Sequence, residues 1–153
     1  MEIYPDFKEL LELFNAQRVE YLVVGGYALA FHGVVRATKD MDLYVRPTTA
    51  NAQRVMAALD VFGFGQTGLK PEDFQKPGQV IQLGFPPVRI DLITSIEGVS
   101  WEQAYGGKTP GNYGGEPVPF LGRAEFIANK KAAGRLQDLA DVEALEGPLP
   151  DEP

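Results

Sequence analysis

Apolar residues recur along this chain in two rhythms, and the alternation between them sets out the elements. Phe7, Leu10, Leu11 and Phe14 keep the i, i+3, i+4, i+7 spacing of a helix that buries one face, with Asp6 and Glu9 placed as a capping box at its start. Tyr21 to Val24 is an apolar strand run that stops at Gly25-Gly26, and Tyr27 to Phe31 is a short helical segment that Gly33 can terminate. Met41 to Val45 reads as the next strand. Pro47-Thr48-Thr49 then breaks it and caps a helix with apolar positions Ala52, Val55, Met56 and Leu59. Gly63 and Gly65 open a loop that runs to Gly78 and holds one helical turn at Pro71-Glu72-Asp73-Phe74. Val80 to Leu83 and Val88 to Ile93 are strands joined by a hairpin connection at Gly84-Phe85-Pro86-Pro87.

Further on, Ser100-Trp101-Glu102-Gln103 has the form of a capping box for a short helix. From Gly106-Gly107 to Pro119 the glycine and proline content reads as an irregular, mobile loop or a loose second hairpin, with a lid over substrate as a further reading. Phe126 and Ile127 start a helix that carries Lys130 and Lys131, Gly134 interrupts it, and Leu136, Leu139 and Ala140 resume a helical face. The pattern predicts an α/β (α+β) chain: one mixed β-sheet flanked by α-helices, a single domain over residues 1–145. Glu146 to Pro153, with prolines and acids interleaved, is predicted to be a disordered acidic tail.

Three places carry candidate chemistry. A helix that starts at Gly25-Gly26 aims unpaired N–H groups and the positive end of its dipole at whatever lies over the glycines, an arrangement suited to phosphate. Asp40-Met41-Asp42 opens the following strand, and side chains two apart on a strand point to one face, roughly 6 to 7 Å apart. The two carboxylates could share divalent cations, or Asp40 could simply cap a solvated turn. Asp91 sits inside the apolar run Val88 to Ile93, where an unpaired charge would be costly, so something compensates it: a nearby arginine, or a metal shared with Asp40 and Asp42. Arg36, just before the acidic strand, could reach a nucleotide phosphate or pair with one of these acids. His32 ends the short helix and reads as a capping or packing residue rather than a general base.

Composition narrows the chemistry. At 153 residues the chain is long enough for one proper core, and its 44% apolar and 23% charged content is ordinary for a globular protein. It has no cysteine and one histidine, which leaves carboxylates as ligands and points to Mg²⁺ or Mn²⁺ rather than zinc. A net charge of −7 disfavours broad nucleic-acid binding, although Arg36, Lys39, Lys130, Lys131 and Arg135 could form a local basic patch. No signal peptide or long apolar run stands out, so no membrane association and a cytoplasmic location are expected.

Gly25-Gly26, Asp40-x-Asp42 at a strand start and a lone Asp91 in a later strand together resemble the signature of the nucleotidyltransferase fold. The run Gly-Gly-Tyr-Ala-x-Ala-Phe-His-Gly-x-x-Arg-Ala-Thr-x-Asp-x-Asp, with Asn129-Lys130-x-Ala-x-Gly134-Arg135-x-x-Asp138-Leu-Ala-Asp141-Val-Glu, is similar to small bacterial nucleotidyltransferases related to AbiEii-type toxins. The resemblance spans about Leu10 to Leu145. It implies transfer of an NMP from an NTP to an acceptor hydroxyl: the 3′ end of a tRNA, a side chain of a partner protein in a toxin–antitoxin pair, or a small molecule. It assigns Asp40, Asp42 and Asp91 to metal binding and catalysis, and Lys130 and Asp138 to the catalytic motif. Gly25, Gly26, Arg36, Lys130 and Arg135 are assigned to the nucleotide. A non-catalytic protein of the same fold that binds nucleotide or a partner and regulates it is the alternative.

Overall fold

In a computed structural model, residues 2–35, 40–64, 67–85 and 88–147 are described. Six strands form one sheet in the order β3-β4-β2-β1-β6-β5: β1 (Tyr21–Val24), β2 (Asp40–Val45), β3 (Val80–Phe85), β4 (Val88–Ile93), β5 (Thr109–Tyr113) and β6 (Glu116–Phe120). The sheet is mixed. β1 runs antiparallel to β2 and parallel to β6, β2 runs parallel to β4, and the hairpin pairs β3/β4 and β5/β6 are antiparallel. The central position of β1 explains its composition, since all four of its residues are buried and none can be polar without a partner.

Period-two alternation divides β2 between the two faces of the sheet. Met41, Leu43 and Val45 are wholly buried on one side, and Asp40, Asp42 and Tyr44 share the other. Tyr44 packs edge-on against Trp101 of α4 (Trp101–Gly106), with ring centroids 4.9 Å apart. Helices α1 (Pro5–Ala16) and α3 (Thr49–Phe62) pack on each other through the stripes the periodicity predicts: Phe7, Leu10, Leu11 and Phe14 on α1, and Ala52, Val55 and Leu59 on α3. Thr48 caps α3 by accepting the Asn51 N–H, and Pro71–Phe74 forms a single 3₁₀ turn. Ser100 and Gln103 close the capping box of α4.

Three expectations need correction. The start of α1 is not a capping box of Asp6 and Glu9, because Pro5 occupies the first helical turn with Tyr4 at the N-cap, which leaves Asp6 inside the helix. Of the readings open for the glycine-rich and proline-rich run to Pro119, the second hairpin is the one present, and it is neither irregular nor loose: β5–β6 is turned by Gly114-Gly115 at positive φ and joined to the sheet through β6. On α6 (Leu136–Glu146) the buried face is not Leu136, Leu139 and Ala140. Leu136 is 88% exposed, and the residues turned inward are Asp138, Asp141, Val142 and Leu145. A hydrophobic count misses this face because two of its four members are acids whose burial depends on polar partners. Glu146 closes α6; residues 148–153, the rest of the predicted tail, lie outside the described residues. No described helix is long and apolar enough to cross a membrane.

Candidate active site

The carboxyl ends of β1 and β6 and the amino ends of β2 and β4 meet at one end of the sheet. Val24 pairs with Asp42, Asp40 with Arg89, and Asp42 with Asp91. The parallel register of β2 and β4 therefore puts Asp42 and Asp91 side by side on the same face, with Asp40 one pleat away. Gly25 follows β1 directly and opens α2 (Gly25–Phe31) at φ +66°, the left-handed region. Any Cβ there would collide with the Asp42 carboxylate, so a residue without one is required for strand and helix to close around that acid.

Asp42 is the perturbed group. Burial first, then the charges of Asp91 and Asp40, push its carboxyl up from the ordinary 3.8 to about 6, against the opposing pull of Lys130 and Arg89. Asp91, itself buried, is held by a two-pronged bond from Arg89: Nε donates to Oδ1 and Nη2 to Oδ2, each at 3.0 Å. The same Nε lies 3.8 Å from Asp40 Oδ2. The arginine partner that the sequence left open for Asp91 is present: it is Arg89, two residues earlier on the same strand face.

Asp42 also lines a cavity of about 330 Å³ between α2, β2, α5 (Arg123–Ala133) and α6, together with Gly25, Gly26, Leu29, Phe126 and Lys130, and with Arg135, Gln137, Asp138 and Asp141 from α6. A larger cavity of about 460 Å³ lies on the β5–β6 hairpin, and its described lining holds Lys108 and no carboxylate. Gly134, left-handed at φ +68°, ends α5 and turns the chain into α6, which brings Lys130 over Asp138. Asp138 is 1% exposed and accepts from Arg135 N at 3.2 Å, Arg135 Nε at 2.7 Å, Arg135 Nη2 at 3.3 Å and Lys130 Nζ at 3.3 Å. The Arg135 bonds foremost, and Lys130 after them, hold the Asp138 carboxyl down at about 2 against burial. Asp138 thus fixes both cations at the cavity wall. Lys130 is kept in place, 17% exposed, whereas Lys131 points outward at 57% exposed and pairs with Glu146.

Most of the residues singled out in the sequence therefore come together: Gly25, Gly26, Asp42, Lys130, Arg135 and Asp138 around the cavity, with Asp40 and Asp91 beside Asp42 on the sheet. Arg36 and Lys39 lie outside the described residues. His32 is the C-cap of α2, and its Nε2–H donates to the Leu121 carbonyl at 2.7 Å, a packing role. Sequence reasoning gives no role to Leu29 or Phe126, which line the cavity, and includes Asp141 in the C-terminal motif without a role; Asp141 lines the cavity too and accepts from Gln137 Nε2 at 3.1 Å. Among the described residues no three acids or imidazoles stand together as they lie in a way that would hold a metal ion. In kind, the donors suit a hard divalent cation, being carboxylates on one sheet face. As the side chains stand, both oxygens of Asp91 are engaged by Arg89.

No family model matches the chain, and no curated protein matches it. Solved structures do. TM1012 of Thermotoga maritima, whose nucleotidyltransferase assignment is itself provisional, superposes with a TM-score of 0.57 at 13% identity over 95% of this chain and 93% of its own. The fold is the nucleotidyltransferase fold. The lincosamide antibiotic adenylyltransferase LnuA, in a lincomycin-bound structure, shares it at TM-score 0.53 and 13% identity, covering 96% of this chain and 99% of its own. ANT(2″)-Ia, solved with adenylyl-2″-tobramycin, shares it at 0.54 and 14%, covering 91% and 84%. At these identities the nucleotidyltransferase likeness concerns the fold.

Proposed function

We propose that this protein is a nucleotidyltransferase that moves an NMP from an NTP to an acceptor hydroxyl, with pyrophosphate as the leaving group. The observation that carries the reading is Asp42, which joins two groups of opposite character: the carboxylates Asp40 and Asp91 on the sheet, and the cations Lys130 and Arg135 across the cavity. Gly25 and Gly26 leave the backbone open to a phosphate chain. Lys130, fixed by buried Asp138, neutralises charge on the departing phosphates, and Arg135 assists from the mouth. The described cavity wall holds three carboxylates, Asp42, Asp138 and Asp141, against two cations, Lys130 and Arg135. A triphosphate entering such a wall would be repelled without added positive charge. Asp40, Asp42 and Asp91 would hold a divalent ion, Mg²⁺ or Mn²⁺, which would supply Lewis-acid activation of the acceptor and of the phosphates.

The acceptor we favour is a small hydroxylated molecule, because two proteins of this fold are antibiotic adenylyltransferases and a net charge of −7 works against a polynucleotide such as tRNA. Membership of the AbiEii-like group, and a toxin–antitoxin role with a protein acceptor, rest on the two sequence motifs. A second reading, a non-catalytic nucleotide-binding or partner-binding regulator in the cytoplasm, is favoured by one feature, the engagement of both Asp91 oxygens by Arg89. Calorimetry with each NTP in Mg²⁺ or Mn²⁺, followed by transfer of α-labelled nucleotide to a small-molecule extract, to tRNA and to protein, separates them. Metal-dependent heat with label transfer is the expected outcome. Heat without transfer to any acceptor supports the regulator, and no heat at all removes the enzyme reading.

A further inference from the structure

Arg89 and Asp91 are two residues apart on β4, and both face the side of the sheet that carries Asp40 and Asp42. The guanidinium occupies both oxygens of Asp91 and lies 3.8 Å from Asp40 on the neighbouring strand, so one cation spans an acid of each strand. That is the place where positive charge is wanted when nucleotide is absent. We propose that Arg89 is the resident counter-cation of this acidic face, a positioning residue that keeps Asp91 away from a divalent ion until the ion displaces it. The inference rests on the reading that Asp40, Asp42 and Asp91 hold such an ion, and it assigns to this chain a competitor for that ion.

Two features make the exchange feasible. The Arg89 side chain is about one third exposed, so its pair is screened by water and gives only a modest net gain. Opposite Arg89 on β3 stands Gly84, so no side chain on that strand partner competes for the guanidinium or holds it in place. The bond thus stabilises a set of repelling carboxylates when no ion is bound and yields when one arrives. A purely structural arginine would behave differently, since its loss would lower the melting temperature and leave ion affinity unchanged.

Mn²⁺ titration of the full chain without nucleotide, read by the electron paramagnetic resonance signal of free Mn²⁺, decides between these. Arg89→Ala is expected to bind Mn²⁺ tighter than the wild type by on the order of ten-fold or more, since a unit charge a few ångströms from the ion has gone. Arg89→Lys keeps the charge and loses the fork, and it should fall between the two; it also serves if Arg89→Ala does not fold. Adding Asp91→Asn to either variant should abolish the gain. Equal or weaker Mn²⁺ binding by a folded Arg89 variant, as judged by circular dichroism, overturns the inference while leaving the metal site standing. No Mn²⁺ binding by any of these proteins at millimolar concentration overturns both.

Discussion

Replacing Asp42 by asparagine in metal-free buffer should make the protein more stable, and the size and pH dependence of the gain follow from the site. The Asp42 carboxyl releases its proton near 3.8 in the unfolded chain and at about 6 in the folded protein, chiefly because it is buried and then because Asp91 and Asp40 repel its charge. Between those values the folded state holds the proton that the unfolded state has lost. Stability from this group is therefore complete below the unfolded pKa, falls as the pH rises through the folded one, and stays low above it. At roughly 1.4 kcal/mol per pH unit of separation, the ionised form costs about 3 kcal/mol at neutral pH. For a chain of this length each kcal/mol moves Tm by about 2 to 4 °C, so Asp42→Asn should melt higher by roughly 6 °C or more at pH 8 in EDTA. The gap should shrink as the pH falls through 6 and close near 4. Thermal melts of both proteins at unit pH intervals measure it directly. A variant that melts lower at pH 8, or one with the same gap at every pH, would refute the claim that Asp42 is a repelled, half-buried acid.

The other predictions concern the cavity wall. Gly25→Ala should lower stability by about 2 to 3 kcal/mol and remove metal-dependent NTP heat, because left-handed strain adds to a collision with the Asp42 carboxylate. Gly33→Ala, at φ +100° with open space around the position of its Cβ, should cost about 1 kcal/mol and leave the heat intact. Lys130→Ala should weaken NTP binding in calorimetry by on the order of ten-fold or more while costing about 1 kcal/mol of stability, since Arg135 still pairs with Asp138. Lys131→Ala should change neither; the reverse ranking of the two lysines would mean that the wrong face of α5 has been assigned to the nucleotide.

Much of this site is visible in sequence because it depends on short-range rules. Strand alternation puts Asp40 and Asp42 on one face whatever the rest of the fold does, and a strand running directly into Gly25-Gly26 leaves few geometries for the helix that follows. The pairing of β2 with β4 is long-range, and the partner that buried Asp91 needs lies on its own strand, so the register that sets Asp91 beside Asp42 could not be read from that need. One feature was legible only as an alternative, and one escaped. The β5–β6 hairpin has strands of Thr-Pro-Gly-Asn-Tyr and Glu-Pro-Val-Pro-Phe, whose composition argues against a sheet; β5 is tolerated there because it lies at the edge. The buried face of α6 is half acidic, and no hydrophobic period can report a face whose burial is stabilised by Arg135, Lys130 and Gln137.

The β2–β4 strand pair and the α5–α6 helix pair explain how opposite charges come to face one another across Asp42. The acids belong to strands, whose register fixes them within a pleat of each other and prevents them from moving apart. The cations belong to a helix pair joined at Gly134, and their positions depend on one buried carboxylate, Asp138, that both must reach. Repulsion is thus built into the strand half of the site, and its relief comes from two cations: Arg89, held on Asp91, and Lys130, held by Asp138 at the wall of the cavity that an anion would enter. A site made this way gains most from a ligand that brings both signs at once. A divalent cation alone would meet the acids but lie close to Lys130, and a triphosphate alone would meet Lys130 but face Asp42; the ion and nucleotide together satisfy both walls. Binding of the two should accordingly be cooperative, each tightening the other by the same factor.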